Sequence, residues 1–348
     1  MATVETSGAA LSKLPDELVL EITEHLALSS LVNLSLVNKR LHRVALQNLY
    51  ATFPGNKLAC FLRTITLPPP AGRAQLAMRV KSVKWDCDVG LVPPLLTGTQ
   101  ESSISASDKW AIARAYQQLV LATPPEDQAS LDSRFASHIR GSLNNHYWAL
   151  EFLLMFVPNV EELDVHSTWQ WDDHKYWFIH TAANPERFKR LKSIKIGGPM
   201  RRENVMPLLT MPSLKNLELD EVIVMRRNAD DTFPWEQPNR LVLDNASSGI
   251  ERLTMNYSWL PTASLVSILN VFKGLKYFRY EHVQNDLSES PEEYIPIHYA
   301  ILATALLRHK STLEDFCFKI YTGLPDEWRN LDLDKLVEMA ATEPADSA

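Results

Sequence analysis

The densest group of side chains able to bind a metal or move protons is STWQWDDHKYWFIH, residues 167 to 180, where Asp172, Asp173 and His174 follow one another. Carboxylates and an imidazole are the usual zinc and general-base groups, but consecutive residues rarely converge on one ion, and no nearby pair has zinc spacing. Cys60, Cys87 and Cys317 are far apart with no base beside them in sequence, which reads as packed small hydrophobes in a reducing compartment. No G-x-G-x-x-G, Walker A, G-x-S-x-G or H-E-x-x-H pattern occurs, and 11 glycines leave few places for a backbone cradle. The sequence therefore predicts no catalytic residue, no metal and no cofactor. What the stretch 167–180 does offer is aromatic surface, in Trp169, Trp171, Tyr176 and Trp177. Exposed, such rings are recognition anchors, because they desolvate large areas with few rotors; packed inward, they pin a loop to its own domain. Arg201-Arg202 and Arg226-Arg227 have two readings as well, a grip on a phosphorylated target or a solvated rim.

The elements that would position any partner begin at residue 11. Residues 11–53 read LSKLPDELVLEITEHLALSSLVNLSLVNKRLHRVALQNLYATF, three short helical patterns in too few residues for a comfortable core of their own. Pro15 fits a first helical turn, where its missing N–H costs nothing, and Asp16 and Glu17 complement the positive end of the helix dipole. Leu18, Ile22 and Leu26 form one stripe, with Glu17, Glu21 and Glu24 facing water. Ser29 or Ser30 is expected to cap a second helix carrying Leu31, Leu34 and Val37, and Asn38 a third carrying Leu41, Val44 or Ala45, and Leu49. Lys39, Arg40 and Arg43 sit in the first turn of that third helix, where the dipole favours anions, and predict an acidic partner.

The run LPDELVLEI, a Leu/Ser-rich second helix and LSLVNKRLHRVALQNLY together resemble the F-box, over about forty residues. The resemblance implies docking on the Skp-type adaptor, and through it on a cullin and a RING protein, of a ubiquitin ligase. Carried over by position, it implies that Leu14 and Pro15 insert into the adaptor. It also implies that Leu18, Ile22, Leu31, Leu34, Leu36, Val37 and Leu41 are shared between the motif's core and the adaptor contact. Asn38 stands where a cysteine is common, and Leu41 where many members have an aromatic.

Beyond the motif, a short helix over residues 58–65 and a break at Pro68–Pro70 are expected to separate the docking head from a body spanning 80–330. The connector runs from 54 to 79, residues 1–10 read as disordered, and 331–348 as the end of a helix followed by a frayed tail. The body repeats an h-x-x-h-x-h pattern, h being apolar: Val80-Val83-Trp85, Val160-Leu163-Val165, Leu191-Ile194-Ile196, Leu214-Leu217-Leu219, Ile250-Leu253-Met255, Leu275-Phe278-Tyr280 and Leu313-Phe316-Phe318. A degenerate unit lies at Leu241-Leu243. Helical patterns fall between the units, at 110–121, 146–157, 203–209, 262–272 and 294–308. The stretches 97–108 and 123–133, rich in Ser, Thr, Pro and acids, read as surface loops.

VPNVEELDV, FKRLKSIKI and MPSLKNLEL resemble the irregular leucine-rich-repeat bodies found behind the F-box in many fungal proteins. The fold expected is thus α/β, a three-helix F-box followed by a leucine-rich-repeat-like solenoid of parallel strands and helices; a compact α/β domain is the alternative. In the solenoid, alternation exposes Glu162, Asp164, His166, Lys195, Glu218, Asp220, Arg252, Tyr277 and Arg279 on one face, as candidate contacts to a target protein, phosphorylated or not. Bases gain on acids toward the later units, so a charge gradient is expected along the face.

Composition sets the outer limits. The net charge of -7 and the dispersal of 35 basic residues give no support for nucleic-acid binding. No run of 18 apolar residues occurs and the first ten residues lack a signal-peptide core, so an intracellular protein, cytoplasmic or nuclear and without a membrane, is expected. Two functions share these features: the substrate-recognition subunit of a ligase, and an F-box scaffold working outside one.

Overall fold

The computed structural model describes residues 13–55, 58–66, 74–86, 106–123, 125, 128, 146–166, 188–198, 200–223, 248–283, 297–321 and 328–342. The chain forms two compact units, residues 1–84 with 93–160 and residues 85–92 with 161–348, a division that differs from the boundary expected at 80.

The first unit opens with helices α1 (Asp16–Glu24), α2 (Leu28–Ser35) and α3 (Lys39–Leu49). They share a small core of Val19, Leu41 and Val44, against which Leu14, Leu20 and Leu34 pack. Asn38 caps α3 as expected, its Oδ1 accepting from Leu41 N–H at 2.9 Å. The cap expected for α2 is different: Ala27 occupies the N-cap, and no side chain bonds there. The stripe expected on α1 is also turned round. Val19 and Thr23 are the buried residues of that helix, whereas Leu18 and Ile22 are exposed. A buried threonine is tolerated because its hydroxyl donates to Leu20 O at 2.7 Å and accepts from Asn48 Nδ2 at 2.8 Å.

The residues that follow α3 are held by strand pairing. Strand β1 (Thr52–Phe53) pairs in parallel with β2 (Ser82–Asp86), Thr52 opposite Ser82 and Phe53 opposite Val83. Ala51 O accepts from both Lys81 N–H and Ser82 N–H, at 2.8 and 3.0 Å. Phe53 packs edge-on against Phe61 of helix α4 (Leu58–Thr66), with centroids 5.1 Å apart. The remaining helices of this unit are α5 (Ala74–Ala77), α6 (Ala106–Ala122) and α7 (His146–Leu154); α6 meets α4, with Gln118 donating to Thr66 O at 3.1 Å. Helix α6 starts inside the stretch 97–108 expected as a loop. Pro68–Pro70 lie outside the described residues.

In the second unit, strands β3 (Glu162–His166), β4 (Ser193–Gly197), β6 (Asn216–Asp220), β8 (Arg252–Ser258), β9 (Tyr277–Val283) and β10 (Asp315–Tyr321) lie side by side in chain order, every pair parallel. Strand β11 (Trp328–Leu331) is antiparallel to β10 at the edge. Two shorter strands, β5 (Met200–Arg201) and β7 (Val222–Ile223), pair separately. Helices α8 (Arg202–Leu209), α9 (Thr262–Leu269), α10 (Tyr299–Leu307) and α11 (Leu333–Thr342) follow the strands; α8 starts one residue before its expected pattern, and α9 and α10 fall within theirs. With strands stacked in chain order, these six have no reversal of order and no crevice of the doubly wound kind.

The h-x-x-h-x-h units are these strands and their entries. Leu191, Leu214, Leu217, Leu219, Leu253, Met255, Leu275, Phe278 and Tyr280 are wholly or almost wholly buried, and only the last unit loosens, with Leu313 and Phe316 half-buried. Leu241-Leu243 lie outside the described residues. A second regularity escaped the sequence reading. The residue after the first apolar position is charged in every unit, and from Glu161 to Lys276 its carbonyl accepts two N–H groups from the next: Glu161 O from Lys192 and Ser193, Lys192 O from Lys215 and Asn216, Lys215 O from Glu251 and Arg252, Glu251 O from Lys276 and Tyr277, Lys276 O from Glu314 and Asp315. Their side chains pair as well, Lys192 with Glu161 at 2.8 Å and Glu251 with Lys215 and Lys276 at 3.0 and 2.7 Å.

Candidate protein-interaction surfaces

Two surfaces of different chemistry, one on each unit, carry most of the described residues that the sequence singles out. On the first, α1 and α2 bury only one side. Leu18 and Ile22 are spaced i, i+4 on α1, and Leu28, Val32 and Leu36 follow the same spacing on α2, so each set forms a line along its helix. All five are exposed, Leu36 by 78%, and Val37 beside it is 64% exposed. Six large apolar side chains open to solvent within twenty residues exceed the scattered exposure of an ordinary surface. Leu28 and Val32 were missed from sequence because they fall on the far side of the stripe read as the helix core. Of the residues expected to serve both core and partner, Leu31 and Leu41 are buried and Leu34 is half-buried inside the three-helix core.

The start of the motif is held by charge. Arg40 Nε donates to Asp16 Oδ1 and Arg43 donates to Asp16 Oδ2, both at 2.6 Å, while Arg40 also bonds the carbonyl of Leu14. Hydrogen bonds from Arg40 and then Arg43 hold the Asp16 carboxyl below its usual range. These two cations therefore serve an acid of the same chain, which corrects the expectation that they await an acidic partner. They fix Leu14, half-buried, and Pro15, exposed, at the head of α1.

On the second unit, the polar face of the sheet is set by register. One row across the strands reads Glu162, Ser193, Asn216, Arg252, Tyr277 and Asp315; the next reads Asp164, Lys195, Glu218, Thr254, Arg279 and Cys317. The expected face residues thus lie together on one surface. Their charges are organised by local pairing, which replaces the expected gradient. Lys195 Nζ lies 2.6 Å from Glu218, and Glu281 is held between Arg279 at 2.5 Å and Lys319 at 3.1 Å. Bonding to Glu218 raises the Lys195 pKa. For Glu281 burial opposes ionisation, yet the bonds and charges of Arg279 and Lys319 outweigh it and hold the carboxyl below its usual range. Asp220 is pushed up by burial, against the hydrogen bond it accepts from Asn256 at 2.7 Å. His166 Nε2 lies 3.0 Å from Asp164, and its ring sits over Gly197, where a Cβ would come within 2.5 Å of Nδ1.

A depression of about 420 Å³ opens in this face, lined among others by Lys195, Glu218, Arg252, Tyr257, Tyr277 and Arg279. Such a polar lining does not suit a small apolar ligand. Behind it, a buried network fixes the strand ends: Tyr280 OH lies 3.2 Å from His282 Nδ1, and accepts from Leu260 N–H at 3.2 Å. Burial lowers the His282 pKa to about 4 and raises that of Tyr280. Trp169, Trp171, Trp177, Asp172, Asp173, His174, Cys87, Arg226 and Arg227 lie outside the described residues. Among the described residues no group of His, Cys, Asp and Glu is placed to hold a metal ion.

Residues 11–53 match the F-box-like family model. The chain is thus an α/β protein that begins with F-box-like helices, and the segment is a protein-interaction module of the kind that commonly binds a Skp-type adaptor. No curated protein matches this chain. No helix among the described residues is long and apolar enough to cross a membrane.

Proposed function

We propose that this chain is the substrate-recognition subunit of a Skp/cullin/F-box type ubiquitin ligase. One observation carries the reading: the F-box-like helices complete a core of their own with Val19, Leu41 and Val44, and still leave Leu18, Ile22, Leu28, Val32, Leu36 and Val37 exposed. Burying apolar surface is worth roughly 25 cal/mol per Å², and this surface has nothing to cover it among the described residues. A helical adaptor face laid on α1 and α2 would do so. The adaptor brings the cullin and RING protein, and the ubiquitin-conjugating enzyme with them.

The body is the target-binding part of this proposal, an irregular leucine-rich-repeat-like array. Its support is the recurrence of one strand-entry unit with the same charged position and the same doubly accepting carbonyl, stacked in chain order. Chemistry resides elsewhere in the complex. The chain acts by raising the target's effective concentration at the conjugating enzyme, which needs no catalytic residue here. The test is co-purification with the adaptor and cullin of wild type, Leu14→Ala/Pro15→Ala and Leu36→Glu/Val37→Glu. Recovery from wild type and loss from both variants supports the proposal; equal recovery from all three, or none from wild type, contradicts it.

A further inference from the structure

The polar depression of the second unit is asymmetric in a way that selects a ligand. Of the three cations lining it, Lys195 pairs with Glu218, and Arg279 shares Glu281 with Lys319, which stands outside the lining. Arg252 has no carboxylate partner among the described residues; it is exposed, and its guanidinium lies 4.4 Å from the centre of the Tyr277 ring. Stacking of this kind holds the planar fork in place while leaving its N–H edge to donate. At the other end of the same strand the backbone is bent deliberately. The register between β8 and β9 shifts between Met255 and Ser258, so Asn256 and Tyr257 together oppose one residue of β9. Tyr257 takes a left-handed φ of 48° and is 56% exposed at the rim. The strain is held by Ser258, fully buried, whose hydroxyl donates to Asn256 O at 2.9 Å and accepts from Val222 N–H at 3.1 Å. Glu221, on the neighbouring chain segment, is left-handed as well and donates its N–H to Asn256 O at 2.9 Å. Two enforced left-handed residues that end with an aromatic ring at the edge of a polar depression are a built feature, since left-handed non-glycine backbone persists only where the surroundings impose it.

We propose that this depression binds an acidic segment of a partner protein, an aspartate or glutamate side chain seating on Arg252 and the adjoining backbone or side chain packing on Tyr257. The choice of carboxylate over phosphate follows from the charge count. A phosphate dianion is gripped by a cluster of cations, whereas one unneutralised guanidinium matches a single negative charge in a two-pronged contact. Among the residues lining the depression, Glu218 and Glu281 offset two of the three cations Lys195, Arg252 and Arg279, and the single positive charge left over matches one carboxylate better than a dianion. The proposal rests on the body being the target-binding part of the chain.

Phage-displayed random dodecapeptides panned against the full-length chain test it. The expected result is enrichment of Asp or Glu at one fixed position. A selected peptide, synthesised, should then bind Arg252→Gln about tenfold or more weaker than wild type, and its Glu→Gln version should lose as much on wild type but nothing further on Arg252→Gln. Tyr257→Gly, which suits the left-handed backbone, should also weaken it, about fivefold. Selection of nothing, selection without acid enrichment, equal binding to Arg252→Gln, or tighter binding of the phosphoserine version would each overturn the proposal. Arg252→Gln should keep the adaptor, and Leu36→Glu/Val37→Glu should keep the peptide, so failure of this site is distinguishable from failure of adaptor docking.

Discussion

His282 is buried in the folded chain, and burial keeps its imidazole neutral well below the ordinary histidine range. Its pKa falls from 6.5 to about 4 because burial penalises the cation, and Tyr280 OH faces its Nδ1. The unfolded chain takes up the proton as pH drops below 6.5 while the folded chain does not until about 4. This group therefore costs the fold nothing above 6.5 and destabilises it increasingly through that window, by on the order of 3 kcal/mol in all. Denaturant midpoints measured from pH 7.5 to 4 should show this decline, and His282→Gln should lose about one proton's worth of the slope; an unchanged slope would show that the group stays solvated. Gly197 makes a second prediction at this scale. A Cβ there would displace the His166 ring, so Gly197→Ala should cost about 1 kcal/mol, and adding His166→Ala should cancel most of that cost. Additive losses would show that the backbone, and not the ring, is what needs the glycine.

At the scale of elements, the strands and most helices were legible and the facing of the first helices was not. Each h-x-x-h-x-h unit names three positions that a half-exposed strand and its entry turn must bury, and Leu214, Leu217 and Leu219 are buried accordingly. The stripe rule failed on α1 because it takes the most apolar side of a helix as the inner one. Here Leu18 and Ile22 form the more apolar line but face out, while the inner side uses Val19, Leu20 and a hydrogen-bonded Thr23. A helix that meets its own core on one side and a partner on the other has two apolar sides, and a single sequence cannot rank them. The Asp16 clamp was equally invisible, since Arg40 lies 24 residues away along the chain. It predicts that Arg40→Ala weakens adaptor binding without melting α1 to α3, by freeing Leu14 and Pro15. The folded Asp16 carboxyl titrates below the ordinary 3.8, so the clamp's contribution is present above that value and is lost only as pH falls beneath it. Adaptor affinity of Arg40→Ala equal to that of wild type would show that the Leu-Pro start needs no holding.

For the whole molecule, the proposed division of labour rests on two surfaces with opposite chemistry. An apolar face on the F-box-like helices is specified by residues 18 to 37, and a polar face on the second unit by strand alternation and register. The sequence reached the second surface through periodicity alone, but its arrangement into paired charges, with Arg252 meeting no carboxylate among the described residues, depends on which strands are neighbours, which no local pattern encodes. Adaptor docking through the first surface is the central claim. The most direct measurement is the affinity of the purified full-length chain for a purified Skp-type adaptor, wild type against Leu36→Glu/Val37→Glu, with denaturant unfolding of both proteins as the control. Because both side chains are exposed in the free chain, the account predicts unchanged unfolding and a loss of affinity of about thirtyfold or more, the effect of removing one interface anchor. Equal affinity of the two proteins for the adaptor, with both folded, would contradict it.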